Sequence, residues 1–314
     1  MNISQLFNQL PGAVAQGLIW GIMAIGVYIT FRILDIADLT VDGSFATGGA
    51  VAAILITNGH NPWLAVFVAF LVGLAAGAVT GLLHTCMGIP AILSGILTQL
   101  ALYSVNLRIQ GIGTDLGSRA NVPLSVNKYK DMLVSLRNVG SFSLNNPIWL
   151  LLLITVLLIA LMYWFFGTEY GCGLRAVGAN RQMARAQGIN TSAGTVVGLM
   201  ISNGLVAFSG ALMAQYQGFS DVSMGRCAIV IGLAAVIIGE VIFFKLFRNF
   251  GLRLLAVSIG TILYYLVIQV VLWLGLNTDD LKLLTALVVA LFLAMPYWKG
   301  RLSIRKLKGG VRHG

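Results

Sequence analysis

Five stretches of this chain, residues 1–31, 43–107, 138–168, 186–220 and 254–278, contain no Asp, Glu, Lys or Arg. A water-exposed surface cannot be built from uncharged segments of that length. The hydrocarbon core of a bilayer, in contrast, demands about 20 predominantly apolar residues per helix. The windows have room for one, three, one, one and one such helices. Composition agrees: 10% of the 314 residues are charged and 58% are hydrophobic, where a soluble domain carries about 25% charge. Mean hydropathy is +0.90. A soluble enzyme, a nucleic-acid-binding domain and a secreted disulfide scaffold are excluded. The sequence reads as an all-α polytopic membrane protein.

Turn signals at Asn58-Gly59-His60-Asn61-Pro62 and Gly88-Ile89-Pro90 cut the longest window into three. Spans are therefore expected near 13–33, 43–57, 63–86 and 90–109. Residues 110–147 hold five Asn together with Lys128, Lys130 and Arg137, and read as an extramembrane loop. Further spans are expected at 147–166, 192–217, 228–245, 252–275 and 282–298, about nine in all, with a range of 8–10. All of them belong to one transmembrane domain, 1–314.

The net charge of +10 sits mainly in short loops and in a tail at 299–314, where Lys299, Arg301, Arg305, Lys306, Lys308 and Arg312 lie. By the positive-inside tendency, this tail, the 245–253 loop (Lys245, Arg248, Arg253) and the 167–190 segment face the cytoplasm. Asp279, Asp280, the 110–147 loop and the N-terminus then lie outside. The 34–42 loop is cytoplasmic on this scheme although it carries Asp35, Asp38 and Asp42; acidic residues weigh little in the rule. The N-terminus lacks a basic leader region and reads as mature sequence. Cys86, Cys172 and Cys227 are far apart, without a CxxC, and read as buried free thiols.

Sliding the chain on itself by 183 residues aligns Gly21 with Gly204, Ala24 with Ala207, Asp38 with Asp221, Gly49 with Gly232 and Ala52 with Ala235, and sets Thr40 against Ser223. Each match falls at the same place in a helix, polar loop, helix unit. The halves, about 11–109 and 192–298, enter the membrane from opposite sides, so the pattern is that of two inverted repeats with broken helices. The alternative is that Gly and Ala recur wherever membrane helices pack closely. The two matching loops, Asp38-Leu-Thr-Val-Asp-Gly-Ser44 and Ser220-Asp-Val-Ser-Met-Gly225, lie directly against apolar helices. Their Asp, Ser and Thr side chains either cap the following helix or border a translocation path. Asp38, Asp42, Ser44, Asp221 and Ser223 are candidates on the second reading. So are Ser94, Thr98, Gln99 and Tyr103, spaced to share one helical face, and Asn203 on the first span of the second half. Interhelical hydrogen bonding is the competing explanation for the same residues.

Between 167 and 190, Asn180 suits an N-cap and Gly188 a left-handed C-terminal residue. The residues between them are strong helix formers, and Arg181 and Arg185 share a face. A short basic helix between two spans cannot bury itself in its own chain, and has the right size for a groove on a partner.

The run Leu174-Arg-Ala-Val-Gly-Ala-Asn-Arg-Gln-Met-Ala-Arg-Ala-Gln-Gly-Ile-Asn190 resembles the coupling segment of ABC-importer permeases of the branched-chain amino acid and ribose type. Its Ala184–Ile189 core stands where those permeases carry an Ala-rich, Gly-terminated ATPase-docking motif. Asp35-Ile-Ala-Asp-Leu-Thr-Val-Asp-Gly-Ser-Phe45, Ile89-Pro-Ala-Ile-Leu-Ser-Gly-Ile-Leu-Thr98 and Ala101-Leu-Tyr-Ser-Val-Asn-Leu-Arg-Ile109 resemble a subgroup associated with aromatic amino acid uptake. The resemblance covers nearly the whole chain and speaks to the family rather than to the solute. It implies a permease in the bacterial cytoplasmic membrane that moves a small polar solute, an aromatic or branched-chain amino acid, inward by alternating access. Arg175, Gly178, Asn180, Arg181, Ala184, Arg185 and Gly188 would then couple to a cytoplasmic ATPase subunit. An extracytoplasmic solute-binding protein or lipoprotein and a second permease copy are the other expected partners, with no nucleic acid.

No catalytic site is expected. The chain lacks a Walker A motif, so ATP hydrolysis falls to a separate subunit, and no cofactor is called for. His60, His84 and His313 lack metal-ligand spacing. Glu240, in an apolar run, is either an intramembrane functional acid or a span-end residue near Lys245. A stand-alone ion- or proton-coupled transporter is the alternative class; it calls for paired intramembrane ionisable residues, which the charge-free windows do not supply.

Overall fold

The structure is a computed structural model that describes residues 3–113, 117–124, 133–134, 146–243 and 249–273, with isolated helical positions between 283 and 294. The expected span at 282–298, the basic tail, Asp279 and Asp280, Lys245 and Arg248, and the centre of the 110–147 loop lie outside the described residues.

Ten α-helices are described: α1 (Ile3–Tyr28), α2 (Thr40–Thr57), α3 (Pro62–Thr85), α4 (Ala91–Gln110), α5 (Pro147–Gly167), α6 (Glu169–Ala179), α7 (Arg181–Ala186), α8 (Thr191–Gln217), α9 (Ala228–Phe243) and α10 (Phe250–Trp273). Among the described residues seven helices are long and apolar enough to cross a membrane, and α9 is a shorter apolar helix. Their starts follow from local chemistry. Asn61 and Asn146 each precede a proline at the first helical position, and their side chains accept from Trp63 N at 3.0 Å and Ile148 N at 3.2 Å. Asn190 accepts from Ala193 N at 3.1 Å to open α8. Gly218, at φ +76°, closes α8 in the left-handed conformation.

The long helix α8 is the centre of the bundle, with α1, α2 and α3 packed along it. Close approach depends on small residues. Gly73, Gly77 and Gly81, one turn apart on α3, face Asn203, Leu199 and Val196 of α8. A Cβ at Gly77 would collide with the Leu199 carbonyl oxygen. This is the small-xxx-small packing that membrane helices use in place of a hydrophobic driving force. On the other side, α10 lies along α1, where Gly17 and Gly21 meet Ile262, Ser258 and Thr261. Helices α4 and α5 flank the bundle and turn apolar side chains such as Leu97, Leu100, Leu153 and Leu157 outward, as lipid-facing helices do.

Two helices follow breaks in the chain. Helix α1 ends in a π-helical turn, Ile29–Ile33. The chain then crosses Asp35, at φ +54°, before α2 starts with Thr40, Val41, Gly43 and Ser44 already buried. Helix α9 likewise starts just after Cys227, at φ +66°. Among the described residues, these are the two non-glycine positions with positive φ, a conformation that costs an L-residue energy.

Part of the expected external loop is ordered into a strand. Strand β1 (Asn121–Pro123) pairs antiparallel with β2 (Phe219–Asp221), with Asn121 opposite Asp221 and Pro123 opposite Phe219. The sequence reading missed this, because three-residue strands carry too few residues for a periodic signal. It also placed the cysteines wrongly. All three are free and exposed, because they lie in a turn, on a surface helix and in a helix break instead of in span interiors.

Candidate functional site

The polar segment 167–190 folds into two short helices instead of one. Thr168 opens α6, accepting from Gly171 N at 3.4 Å. Arg175 donates through Nη2 to the Phe166 carbonyl at 2.9 Å and lies 6.0 Å over the Phe250 ring, which ties α6 to α5 and α10. Gly178 packs directly on the end of α1, where a Cβ would run into the Ile33 carbonyl. Asn180 then caps α7, its Oδ1 accepting from Gln182 N and Met183 N, each at 3.0 Å. Helix α7 is six residues long, shorter than the stretch between the two expected caps, and Gly188 at φ +80° turns the chain toward α8. Ala184 is buried against the body, while Arg181, Gln182 and Met183 are exposed. Arg185 bends back, donating to Thr191 Oγ1 at 3.2 Å. The outer face of α7 is thus presented by Arg181 and Met183. The segment behind it is clamped to the end of α1.

The break after α1 leads to a buried polar cluster. Asp38, 2% exposed, accepts from Thr40 N at 2.9 Å and from Asn203 Nδ2 at 2.7 Å. Asn203 in turn accepts from the Ser44 hydroxyl at 2.7 Å. A carboxylate taken out of water is costly unless hydrogen-bonded; here Asp38 caps α2 and binds it to α8 in one step. Beside it, Thr40 and Thr80 share a hydrogen bond at 2.8 Å, and Thr80 donates to Thr98 at 2.9 Å, joining α2, α3 and α4. Ser94 is buried on the same side of α4 and bonds back to Ala91.

The residues aligned by the repeat behave differently in the second half. Asp221 accepts from Ser223 N at 2.6 Å in the turn that follows β2. The cap for α9 comes from the other half: Asp42 accepts from Cys227 N at 3.1 Å and Ile229 N at 3.0 Å. Sequence reading gave Asp42 as a cap of the following helix or a pathway residue, because nothing in the spacing reveals a cap 185 residues away.

Gln99 and Tyr103, predicted to share a face with Ser94 and Thr98, instead look into a cleft of about 110 Å³ between α2, α4 and the 222–226 loop. Asp42, Asn106 and Arg226 complete its polar lining. Asn106, Arg226 and Thr80 were not singled out from sequence, and Thr40 only as the repeat partner of Ser223. For Asn106 a signal existed, as it lies one turn beyond Tyr103 and two turns beyond Gln99 on α4. For Thr80 none did. At the opposite end of the bundle, a larger cavity of about 600 Å³ lies between the end of α1, α6 and the start of α10, with Arg32, Asp35, Arg175 and Arg253 in its wall. Glu240 is accounted for there: it pairs with Arg32 Nε at 2.9 Å, at the end of the helix. Among the described residues no group of His, Cys, Asp and Glu is arranged to hold a metal ion.

Comparison with known proteins places this geometry. Residues 10–296 match the family model for the branched-chain amino acid transport system permease component. The chain is 43% identical over 281 residues to a tyrosine transport system permease protein of Clostridioides difficile, covering 90% of this chain and 89% of that one. It is 33% identical over 293 residues to an uncharacterized protein of Rickettsia prowazekii, covering 91% and 97%. It is 26% identical over 237 residues to the ribose import permease protein of Escherichia coli, covering 76% and 69%. The chain is a multi-pass protein of a bacterial inner membrane, and ATP hydrolysis belongs to a separate subunit of such systems. It belongs to the family of branched-chain amino acid transport system permease components.

Proposed function

We propose that this permease carries an amino acid, aromatic in preference, inward across the membrane, driven by an ATPase subunit that docks on α7. The observation that carries the coupling assignment is the clamp between α6 and the end of α1. Asn180 and Gly188 fix α7 at both ends, so force on Met183 and Arg181 acts on a rigid piece. Gly178 passes it to Ile33 and Leu34 without an intervening side chain. Beyond Leu34 lies the break that Asp38 ties to Asn203. ATP-driven closure of two ATPase subunits would thereby tilt the α1–α2 break against α8, in a homodimer supplied by an external solute-binding protein.

The breaks before α2 and α9 support the reading of two inverted halves around a midplane path. Each follows a positive-φ residue, and the repeat aligns Asp38 with Asp221 at their polar turns. Asp42, Gln99 and Tyr103 are placed to border the path, since they line an open cleft. Asp38, Ser44, Ser94, Thr98 and Asn203 are enclosed by neighbouring helices, and their part is to hold the moving pieces together. The cargo class rests on the 43% identity to a tyrosine transport permease.

The test is uptake of radiolabelled L-tyrosine into proteoliposomes holding the permease with its genomic-neighbour ATPase and binding protein. Gly188→Val forces a β-branched residue into a left-handed conformation. It should abolish uptake while leaving L-tyrosine binding to the external protein intact. Full uptake by Gly188→Val would overturn the coupling assignment, and wild-type complexes that import no amino acid would overturn the cargo.

A further inference from the structure

The cleft between α2, α4 and the 222–226 loop contains a feature that helix packing leaves unexplained. Asn106 is 1% exposed, and neither Nδ2 nor Oδ1 of its amide has a hydrogen-bond partner. Buried amides are almost always satisfied, and an orphaned donor and acceptor on one side chain mark a place where a ligand supplies both. The amide sits in the wall of the cleft together with Asp42 and Arg226, which carry opposite charges. Those two groups form no ion pair with each other. Each oxygen of Asp42 is already held by a backbone N–H of the α9 start. That fixes the carboxylate in place and leaves lone pairs free, since an ionised carboxylate has about four acceptor sites.

Taken together, these groups select a ligand. A simple cation would meet Arg226 and a simple anion would meet Asp42. A neutral polyol would gain nothing from either charge. A zwitterion satisfies all three groups: an ammonium for Asp42, a carboxylate for the guanidinium fork of Arg226, and one donor and one acceptor for Asn106. The cleft, of about 110 Å³, has room for an amino acid head group. Tyr103, 46% exposed at the same cleft, offers a ring face beyond the head group.

We infer that this cleft is a transit site for the α-ammonium and α-carboxylate groups of an amino acid, with Asn106, Asp42 and Arg226 as its contacts. The inference rests on the reading that the cargo is an amino acid, and it adds where on this chain the invariant part of that cargo is held. The side chain of the amino acid would lie outside the cleft against Tyr103, so the site reads the class and leaves the choice among amino acids to other contacts.

The decisive variant is Asn106→Leu, which keeps the branching and the number of side-chain heavy atoms and carries no polar atom. Because the amide is unpaired, its removal should leave the unfolding midpoint no lower than wild type, and the complex should assemble normally with the ATPase subunit. Uptake of L-tyrosine into proteoliposomes, supplied through the external binding protein, should fall at least tenfold. Arg226→Gln should do the same, and Arg226→Lys should recover part of the rate. Uptake by Asn106→Leu within twofold of wild type would overturn the inference. A lowered unfolding midpoint or failed assembly would overturn it too, because the amide would then be structural. If the wild-type complex imports none of the twenty labelled amino acids, the cargo assignment fails first; import indifferent to Asn106→Leu removes this site alone.

Discussion

Replacing Asn203 by Leu probes the joint between the helix break and the central helix. The side chain is wholly buried and makes three hydrogen bonds: to Asp38 Oδ2 at 2.7 Å, to the Leu199 carbonyl at 3.0 Å, and from Ser44 Oγ at 2.7 Å. Leucine has the same number of side-chain heavy atoms and is the bulkier residue, so no cavity forms. The loss falls on the partners. The Ser44 hydroxyl is orphaned in a dry site, worth about 1–3 kcal/mol, and Asp38 loses a bond to a charged oxygen, worth about 1.5–3 kcal/mol. Burial of the leucine side chain returns part of this, and membrane hydrogen bonds measured by double-mutant cycles average nearer about 0.6 kcal/mol. A net destabilisation of about 1–4 kcal/mol follows. The assay is reversible unfolding in detergent micelles of the wild type, Asn203→Leu, Asp38→Asn and the double variant. The two single losses should not add, with a coupling energy of about 0.5–3 kcal/mol. Additive losses, or an Asn203→Leu protein as stable as wild type, would refute the joint between Asp38 and Asn203.

Gly77→Leu should separate α3 from α8, because any Cβ there meets the Leu199 carbonyl. Overpacking of this kind costs about 1–3 kcal/mol, to be read as a lowered midpoint in the same unfolding assay, with Gly77→Ala intermediate. Gly178→Ala should leave the bundle folded but lift α6 off Ile33; uptake should drop at least tenfold while ATP hydrolysis persists, measured side by side in proteoliposomes.

How much of this was legible without coordinates depended on the range of the interaction. The helices were readable because their determinants are local: charge-free windows set their extent, and Asn61-Pro62, Asn146-Pro147 and Asn190 set their starts. The residues that bound α7, Asn180 and Gly188, were readable for the same reason. The division of 167–190 into α6 and α7 was not, because Gly178 acts through a contact with Ile33 that no spacing encodes. Asp42 offered the same difficulty in sharper form, as a cap for a helix in the other half. Ser94, Thr98, Gln99 and Tyr103 were expected to share one helical face, and the structure divides them. Their division between a buried threonine cluster and an open cleft depends on how far α4 is covered by α2 and α3. Asn106 escaped notice because a single Asn in an apolar helix is as easily read as interhelical hydrogen bonding.

The docking of an ATPase subunit on α7 is tested most directly by proximity. Met183 is 67% exposed at the tip of α7, and Ile112 is 56% exposed just past the end of α4, well away from it. In a background with Cys86, Cys172 and Cys227 replaced by serine, a photoreactive maleimide is attached to Met183→Cys or to Ile112→Cys in the assembled complex. Irradiation should join Met183→Cys to the ATPase subunit in high yield and leave Ile112→Cys unlinked to it. An assembled, ATP-hydrolysing complex with no adduct at position 183, or with equal adducts at 183 and 112, would contradict the assignment of α7 as the coupling helix.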